Sequence, residues 1–503
     1  MTDMLLWTHV VLQIAMGGFD TLYHHEMTER LAWRTSQRQE LRLHAVRNWF
    51  YGAIFLLLAW SEPRGLLALA LLAALIVEIG ITLWDFVEED QSRRLPASER
   101  ITHTLLALNY GAILVLLVPL LWAWAQLPLE LVPVSHSYGS WFLTAAAIAV
   151  TLFGWRDWLA SARLGRLTER AAAPLAEVLG ARKRILVVGA TGFIGARLVA
   201  ALVKAGHDVI AFARTPKAAA RLAAPVTIVS HLDQISRDIR LDAIVNLAGA
   251  PIADWPWTRR NRFRILHSRI ATARRILRLI NRLDMRPSVL VTASAIGWYG
   301  ARGDEILSEA DAPGNGFGAR VCRTTESEAI RAEAYGVRVV TLRIGLVLDR
   351  TGGMLARLLP AFDLGGGGPM GTGRHWMSWI TRDDLVRLIC HAVASPALHG
   401  AANATAPEPV RNRDFAKAVG RALGRPAVLP LPAAALRSLG GEMAEELMLA
   451  GQRVVPAKAL ATGFTFDEPE LTTALNQMLG RGSGPDLHTA PNPATVPAAP
   501  ATR

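Results

Sequence analysis

Gly189, Thr191, Gly192 and Gly195 have the types and spacing that bring a backbone against an anion. Ile185–Val188 before them is a short, largely β-branched run of the kind buried on both faces of a parallel sheet. Ala196–Lys204 after them reads as a helix, closed by Gly206. In such a turn the glycines admit a pyrophosphate, and the helix start offers free N–H groups and the positive end of its dipole. A plain strand-to-helix turn has no need of three glycines at this spacing. A second strand, Asp208–Ala213, follows as a dinucleotide-binding unit requires.

The second strand ends at Arg214, with Lys217 nearby and no Asp or Glu placed to bind a ribose 2′-hydroxyl. A basic residue there suits a 2′-phosphate, so the expected cofactor is NADP(H) over NAD(H). Residues 241–249 read as another buried strand, ending in Ala248 and Gly249, small enough for a cofactor ribose to approach. A long basic helix, Thr258–Asn281, comes next. The run 288–300 then carries a strand into a loop with Ser294 and Tyr299, and chemistry in open α/β sheets sits at strand C-termini. The alternation predicts an α/β fold: a Rossmann-type doubly wound parallel sheet over 184–400, with a small substrate-cleft region over 401–480.

Gly189–Gly195, Asn246–Gly249 and Ser294–Gly300 resemble the extended short-chain dehydrogenase/reductase superfamily, the epimerase/dehydratase group. The stretches 246–253, 371–380, 403–410 and 451–458 resemble more narrowly its atypical, uncharacterised NAD(P)-dependent epimerase-family branch. The likeness spans about residues 183–478. It implies that Thr191, Gly192, Phe193, Ile194 and Gly195 wrap the pyrophosphate and that Arg214 meets the 2′-phosphate. It also implies that Ala248 and Gly249 lie beside the ribose and that Ser294 takes the catalytic serine's place.

The superfamily's Tyr-x-x-x-Lys pair belongs near residues 314–326, which hold neither tyrosine nor lysine. Hydride transfer to a carbonyl needs a proton donor near neutral pH, so another group serves or that chemistry is absent. Ser294 and Tyr299 are the catalytic candidates, although Tyr299 reads more readily as packing in its Trp-Tyr-Gly turn; Arg320, Arg323 and His375 are further candidates. The loop Gly365–Gly373 reads as a substrate lid or a connector, with Trp376 and Trp379 favouring a packed loop. Asp383 or Asp384 is expected to cap the helix after it.

The 503 residues are 51% hydrophobic, concentrated in the first 160 residues. Segments 5–23, 45–61, 65–87, 101–125 and 139–158 read as spans of an all-α transmembrane bundle of about five helices (1–165). Arg30, Arg34, Arg38, Arg42, Arg93, Arg94, Arg100, Arg156, Arg163, Arg166 and Arg170 flank alternate ends. The positive-inside rule then puts the N-terminus outside a bacterial-type inner membrane and the α/β part in the cytoplasm. A linker (166–183) and a disordered tail (481–503) complete the expected organisation. Two cysteines, Cys322 and Cys390, give no disulfide framework. The net charge of +12 comes without basic-aromatic interleaving, so nucleic acid is not an expected partner. The expected partners are lipid and a small molecule of unknown identity, with homo-oligomerisation left open.

Asp20, His24, His25, Glu26, His44, Asn48, Asp85, Glu88, Glu89 and His103 gather at the expected cytoplasmic ends, with Glu78 deeper in its span. Two readings stay open: interfacial pairing with the arginines, or a haem, metal or quinone site. No His-x-x-x-His or Glu-x-x-His spacing settles it, and no metal ligand set is assigned. Three functions follow: a membrane-anchored NADP(H)-dependent oxidoreductase or epimerase-like enzyme, a non-catalytic NADP(H)-sensing or scaffold module, or NADPH-linked electron transfer into the membrane part.

Overall fold

The computed structural model describes residues 2–93, 95–167, 170–215, 219–220 and 222–481; Arg94, Lys217 and the tail from 482 lie outside them. The first part is helical: α1 (Thr2–Phe19), α2 (Arg38–Trp60), α3 (Leu66–Ser92), α4 (Ala97–Ala125) and α5 (Tyr138–Leu164). Between α1 and α2 the chain winds through a π-helix, Asp20–Glu29. Helices α3, α4 and α5 are long and apolar enough to cross a membrane. Helix α1 is diluted by His9 and Gln13, and α2 begins with Arg38, Glu40, Arg42 and Arg47, which explains why neither of these joins that set. On the outward faces of α3–α5, Ile76, Leu83, Leu108, Val115, Trp122, Trp141, Leu152 and Trp155 are exposed.

The second part is a Rossmann-like α/β unit. The seven strands of its main sheet are β1 (Arg184–Val188), β2 (Asp208–Phe212), β3 (Thr227–Val229), β4 (Ala243–Asn246), β5 (Val289–Ala295), β6 (Arg338–Ile344) and β7 (Gly400–Ala404). All pair in parallel, in the order β7-β6-β5-β4-β1-β2-β3. Ile185–Val188 is buried on both faces, as a β-branched run between crossover helices must be. On one face pack α6 (Phe193–Lys204), α10 (Arg382–Ala394) and the 3₁₀ turn Ala173–Leu179, through Leu198, Leu202, Leu385, Ile389 and Leu175. The other face takes α7 (Arg259–Arg282), through Ile276, Leu279 and Ile280, and the end of α8 (Phe317–Ile330), through Ala329. Part of the segment expected as a linker is thus packed core. Chain order reverses between β1 and β4, which opens a crevice at their C-terminal ends, the general ligand position of such sheets.

The helical part and the α/β part share a core. Leu31, Trp33, Leu41, Ala160 and Leu164 pack with Leu355, Leu359 and Phe362 of α9 (Gly353–Asp363), and with Trp379 and Phe415. Full burial of a side chain of this size stabilises by about 1.5–3 kcal/mol. Beside it lies a charge cluster. Arg156 of α5 contacts Glu26 (2.6 Å), Asp157 (2.9 Å) and Asp363 (3.1 Å), and Arg163 reaches Asp363 at 3.2 Å while lying over the Trp33 ring.

Candidate functional site

The three glycines at the β1–α6 turn do different jobs. Gly189 leaves β1 at φ +87°, and a Cβ there would stand 2.8 Å from the Ala248 nitrogen; one on Gly195 would stand 2.1 Å from the Gly189 carbonyl. These two let strand, turn and helix close on one another. Gly192, the residue preceding α6, has an ordinary φ of −77°. A Cβ there would meet only the Gly189 carbonyl, at 3.2 Å, and Thr191 and Gly192 face solvent. Neither backbone conformation nor close packing by the fold therefore demands a glycine at 192 as it does at 189 and 195. Phe193 and Ile194 turn inward: Phe193 lies beneath Arg382 and against Gly352, which leaves the first N–H groups of α6 pointing into the crevice. The residues present fit a pyrophosphate.

The opposite wall is the end of β4. Asn246 donates to Thr292 (3.0 Å) and accepts from the Ala248 N–H (3.2 Å), which fixes the Ala248–Gly249 turn. Arg269 of α7 reaches across this turn, donating to the Ala250 carbonyl at 3.0 Å; burial lowers its pKa. Arg214 is exposed just past β2, and Lys217 lies outside the described residues. Beside the ends of β2 and β3 a cavity of about 250 Å³ is lined by Phe212, His231, Leu232, Asp233, Arg275 and Arg278. Arg275 and Arg278, one turn apart on α7, did not stand out in the sequence because they are two of nine arginines along that helix.

At the C-terminal end of β5, the Ser294 hydroxyl donates to Glu326 at 2.7 Å. Glu326 is held by Arg343 through two contacts of 3.1 Å; Arg343 donates to the Tyr299 oxygen (3.0 Å), and Tyr299 donates to Asn403 (2.7 Å). One polar chain thus runs from α8 through β5 and β6 to β7. Cys322, four residues before Glu326 and on the same face of α8, donates to the Ala295 carbonyl at 3.3 Å, and burial pushes its thiol up. The stretch that lacks tyrosine and lysine therefore turns Cys322 and Glu326 toward Ser294, while Arg320 and Arg323 face solvent.

Tyr299 is fully buried with Leu307 and Val454, and burial raises its pKa. Its contacts make it a packing tyrosine of the core, the alternative its turn allowed, because Arg343 and Asn403 already occupy its hydroxyl. His375 is half-buried, with its pKa lowered by burial. Ser294 and Glu326 are the adjoining groups that can pass a proton at the strand end. Glu326 was legible only as one of several charges on an amphipathic helix.

The C-terminal region clamps this arrangement. Glu446 accepts from the Phe317 and Gly318 N–H groups, 2.9 Å each, and so caps α8 from a distant segment. The Gly365–Gly373 loop is packed: Leu429 and Leu431 donate to the Gly367 and Pro369 carbonyls, and Gly371 donates to Leu431. Trp376 lies between Arg411 and Arg453, and Trp379 is fully buried. The helix cap differs from expectation. Thr381 caps α10 by accepting from the Asp384 N–H (3.2 Å), whereas Asp384 is drawn off to accept from the Asp467 and Glu468 N–H groups, 3.0 Å each.

The polar residues of the helical part also converge. His25, His44 and His103 meet Asp20, Asp85, Glu89 and Glu99 at one end of the bundle. His24 instead stands 3.4 Å from Thr102. Glu78, deeper, accepts from Tyr51 (2.6 Å), Tyr110 (2.5 Å) and Thr82 (2.7 Å) and is satisfied without a cation.

Sheet order, glycine turn and strand-end serine define a nicotinamide-dinucleotide-binding protein of the short-chain dehydrogenase type. Residues 185–403 match the NAD dependent epimerase/dehydratase family, and residues 431–478 match a domain of unknown function, DUF1731. The chain is 38% identical over 302 residues to an epimerase family protein SDR39U1 homolog, chloroplastic, of Arabidopsis thaliana, which covers 59% of this chain and 86% of that protein. It is 34% identical over 300 residues to the epimerase family protein YfhF of Bacillus subtilis, covering 59% and 97%. A crystal structure of human epimerase family protein SDR39U1 (isoform 2) with NADPH superposes with a TM-score of 0.53 at 32% identity, covering 59% of this chain and 99% of that one. The chain belongs to the NAD(P)-dependent epimerase/dehydratase family, in company with the SDR39U1-like proteins.

Proposed function

We propose that the protein is an NADP(H)-dependent oxidoreductase or epimerase-like enzyme, anchored in a bilayer by its helical part and acting on a small molecule at the cytoplasmic face. The observation that carries this reading is the convergence, on one crevice, of a backbone cradle kept open at Gly192 and a Ser294–Glu326 pair at the end of β5. Bound there, the nicotinamide supplies or accepts the hydride. Ser294 then orients the substrate oxygen and passes its proton to or from Glu326, which Arg343 holds in place. The apolar outer faces of α3–α5 support the anchor, since exposed apolar area of this extent needs a partner. The arginines at alternate ends support an outside N-terminus.

For the cofactor, support comes from Arg214 at the end of β2 and from the NADPH in the human relative's structure. Calorimetry on the detergent-solubilised protein is expected to show NADPH bound more tightly than NADH. Arg214→Ala should weaken NADPH about ten- to a hundredfold, the size of a lost charged hydrogen bond, and leave NADH nearly unchanged. Equal loss for both nucleotides would move the phosphate site elsewhere, with Arg275 and Arg278 the next cations to test. Against a panel of carbonyl and sugar-nucleotide compounds, Ser294→Ala should slow NADPH-linked turnover by about 10²–10⁴, the range of a lost acid/base group, with nucleotide binding intact. Turnover at the wild-type rate in that variant would take the serine out of the chemistry.

A further inference from the structure

We propose that the end of the helical bundle nearest the α/β unit is a metal centre for divalent first-row transition ions of the Mn, Fe and Zn class, built around Asp20, His25, Glu99 and His103 and continued by His44 and Glu89. The side chains come from four segments. Asp20 and His25 lie on the π-helix, His44 on α2, Glu89 on α3, and Glu99 and His103 on α4. Their spacings suit it. Glu99 and His103 are four apart, one face of an α-helix. Asp20 and His25 are five apart, the repeat that the wider π-helix brings together, and π-turns are rare and frequently placed at functional sites.

The donor atoms already crowd two points. Nε2 of His25 stands 3.3 Å from Asp20 and 3.6 Å from Glu99, and Nε2 of His103 stands 3.1 Å from Asp20. In each of two groups, Asp20–His25–Glu99–His103 and His25–His44–Glu89, one donor atom per residue lies within 4.8 Å of all the others. Donors at about 2.0–2.2 Å from an ion are about 4 Å apart or less, so small shifts close the shell. Glu89 belongs to the second group, 3.9 Å from Nε2 of His44, and its other oxygen stands 3.2 Å from Nδ1 of His103, where it orients that ring from behind. Imidazole with carboxylate suits Fe, Mn and Zn better than the all-oxygen shells of Ca or Mg.

Two further observations point to a cation. The site is buried: Asp20, His25, His44, Glu89 and Glu99 are 6% exposed or less. Yet Nε2 of His25, Nε2 of His44 and Oδ1 of Asp20 make no hydrogen bond. The imidazole nitrogens approach the carboxylates without aligned donors, and the His25 and His44 rings stack at 4.7 Å. Unpaired polar atoms this deep cost about 1–3 kcal/mol each unless something satisfies them. Charge agrees. Among the described residues, the arginines paired with Asp20, Glu40, Asp85, Glu89 and Glu99 are Arg47, on Asp85, and Arg93, on Glu40, Glu89 and Glu99. Three negative charges remain among these groups before any histidine is protonated, and one divalent ion would offset two of them. The deeper carboxylate, Glu78, has three hydroxyl donors and needs no ion.

The test uses the full chain in detergent, with any affinity tag removed, stripped with a chelator and titrated with Co²⁺ and separately with Mn²⁺. At least one equivalent of Co²⁺ is expected to bind with a visible d–d band, and bound metal should raise the thermal midpoint. His103→Gln, whose ring is the most accessible of the three, should weaken binding at least tenfold, and His25→Gln should do the same or more. A variant that no longer unfolds cooperatively when stripped is replaced by Glu99→Gln, with the same expected loss. Absence of a d–d band and of any midpoint shift in the folded wild type would overturn the proposal in favour of histidinium–carboxylate pairing. So would wild-type affinity in the two histidine variants. None of these readouts depends on nicotinamide binding, so failure here leaves the cofactor reading standing, and the reverse holds too.

Discussion

Replacing Arg156 with alanine is expected to destabilise the protein by about 3–5 kcal/mol, the cost of leaving buried charges without their partner. Arg156 is 8% exposed and is shared by Glu26, Asp157 and Asp363, so its removal strands three carboxylates where the helical part meets α9. Arg163 compensates only Asp363. Burial alone would raise the Asp363 pKa, but Arg163 and Arg156 more than offset this and hold it below the usual carboxylate range. The measurement is thermal unfolding in detergent. A variant that also carries Glu26→Gln, Asp157→Asn and Asp363→Asn should recover much of the loss, because neutral groups of similar volume need no counter-charge. If the single substitution left the midpoint unchanged, the two parts would not be docked in solution as they are in this structure.

The second large effect concerns Gly192. Gly192→Ala is expected to leave the thermal midpoint close to that of the wild type and to lower affinity for either nicotinamide dinucleotide about a hundredfold. That is the loss of one or two charge-assisted hydrogen bonds, at about 1.5–3 kcal/mol each. The two halves of this expectation have separate causes. The backbone there is ordinary for any residue, and the new methyl would meet one carbonyl at 3.2 Å, a contact relieved by a shift of a few tenths of an ångström. A phosphate seated on the start of α6 would meet the same methyl directly. Gly195→Ala makes the contrasting control, since its Cβ falls 2.1 Å from the Gly189 carbonyl and the turn itself must open. Binding by Gly192→Ala at wild-type strength, measured by calorimetry, would show that the nucleotide does not use this turn.

Local chemistry determined much of this molecule before any folding is considered. The run Ile185–Val188 reads as a buried parallel strand, and the glycines after it as a close turn into a helix, because side-chain shape and backbone freedom act over a few residues. The same holds for the basic helix, found over Arg259–Arg282 with Thr258 as its cap, against an expected 258–281. Ser294 at the end of its strand was legible for that reason too.

What tertiary structure decided is which distant groups meet. Glu326 looked like any helix-surface carboxylate until β5 and β6 brought Ser294 and Arg343 to it. Asp384 was a reasonable cap by position, but the Asp467–Glu468 backbone competes for its oxygens and leaves the task to Thr381. Nothing in the sequence singles out Glu40 or Glu99; only bundle packing turns them inward beside Arg93 and brings Glu99 to His25. Periodicity reports which way a residue faces, whereas a hydrogen bond or a ligand shell depends on ångström distances between segments far apart in the chain, as Tyr299 and Asn403 are, and those are set only when the cores close.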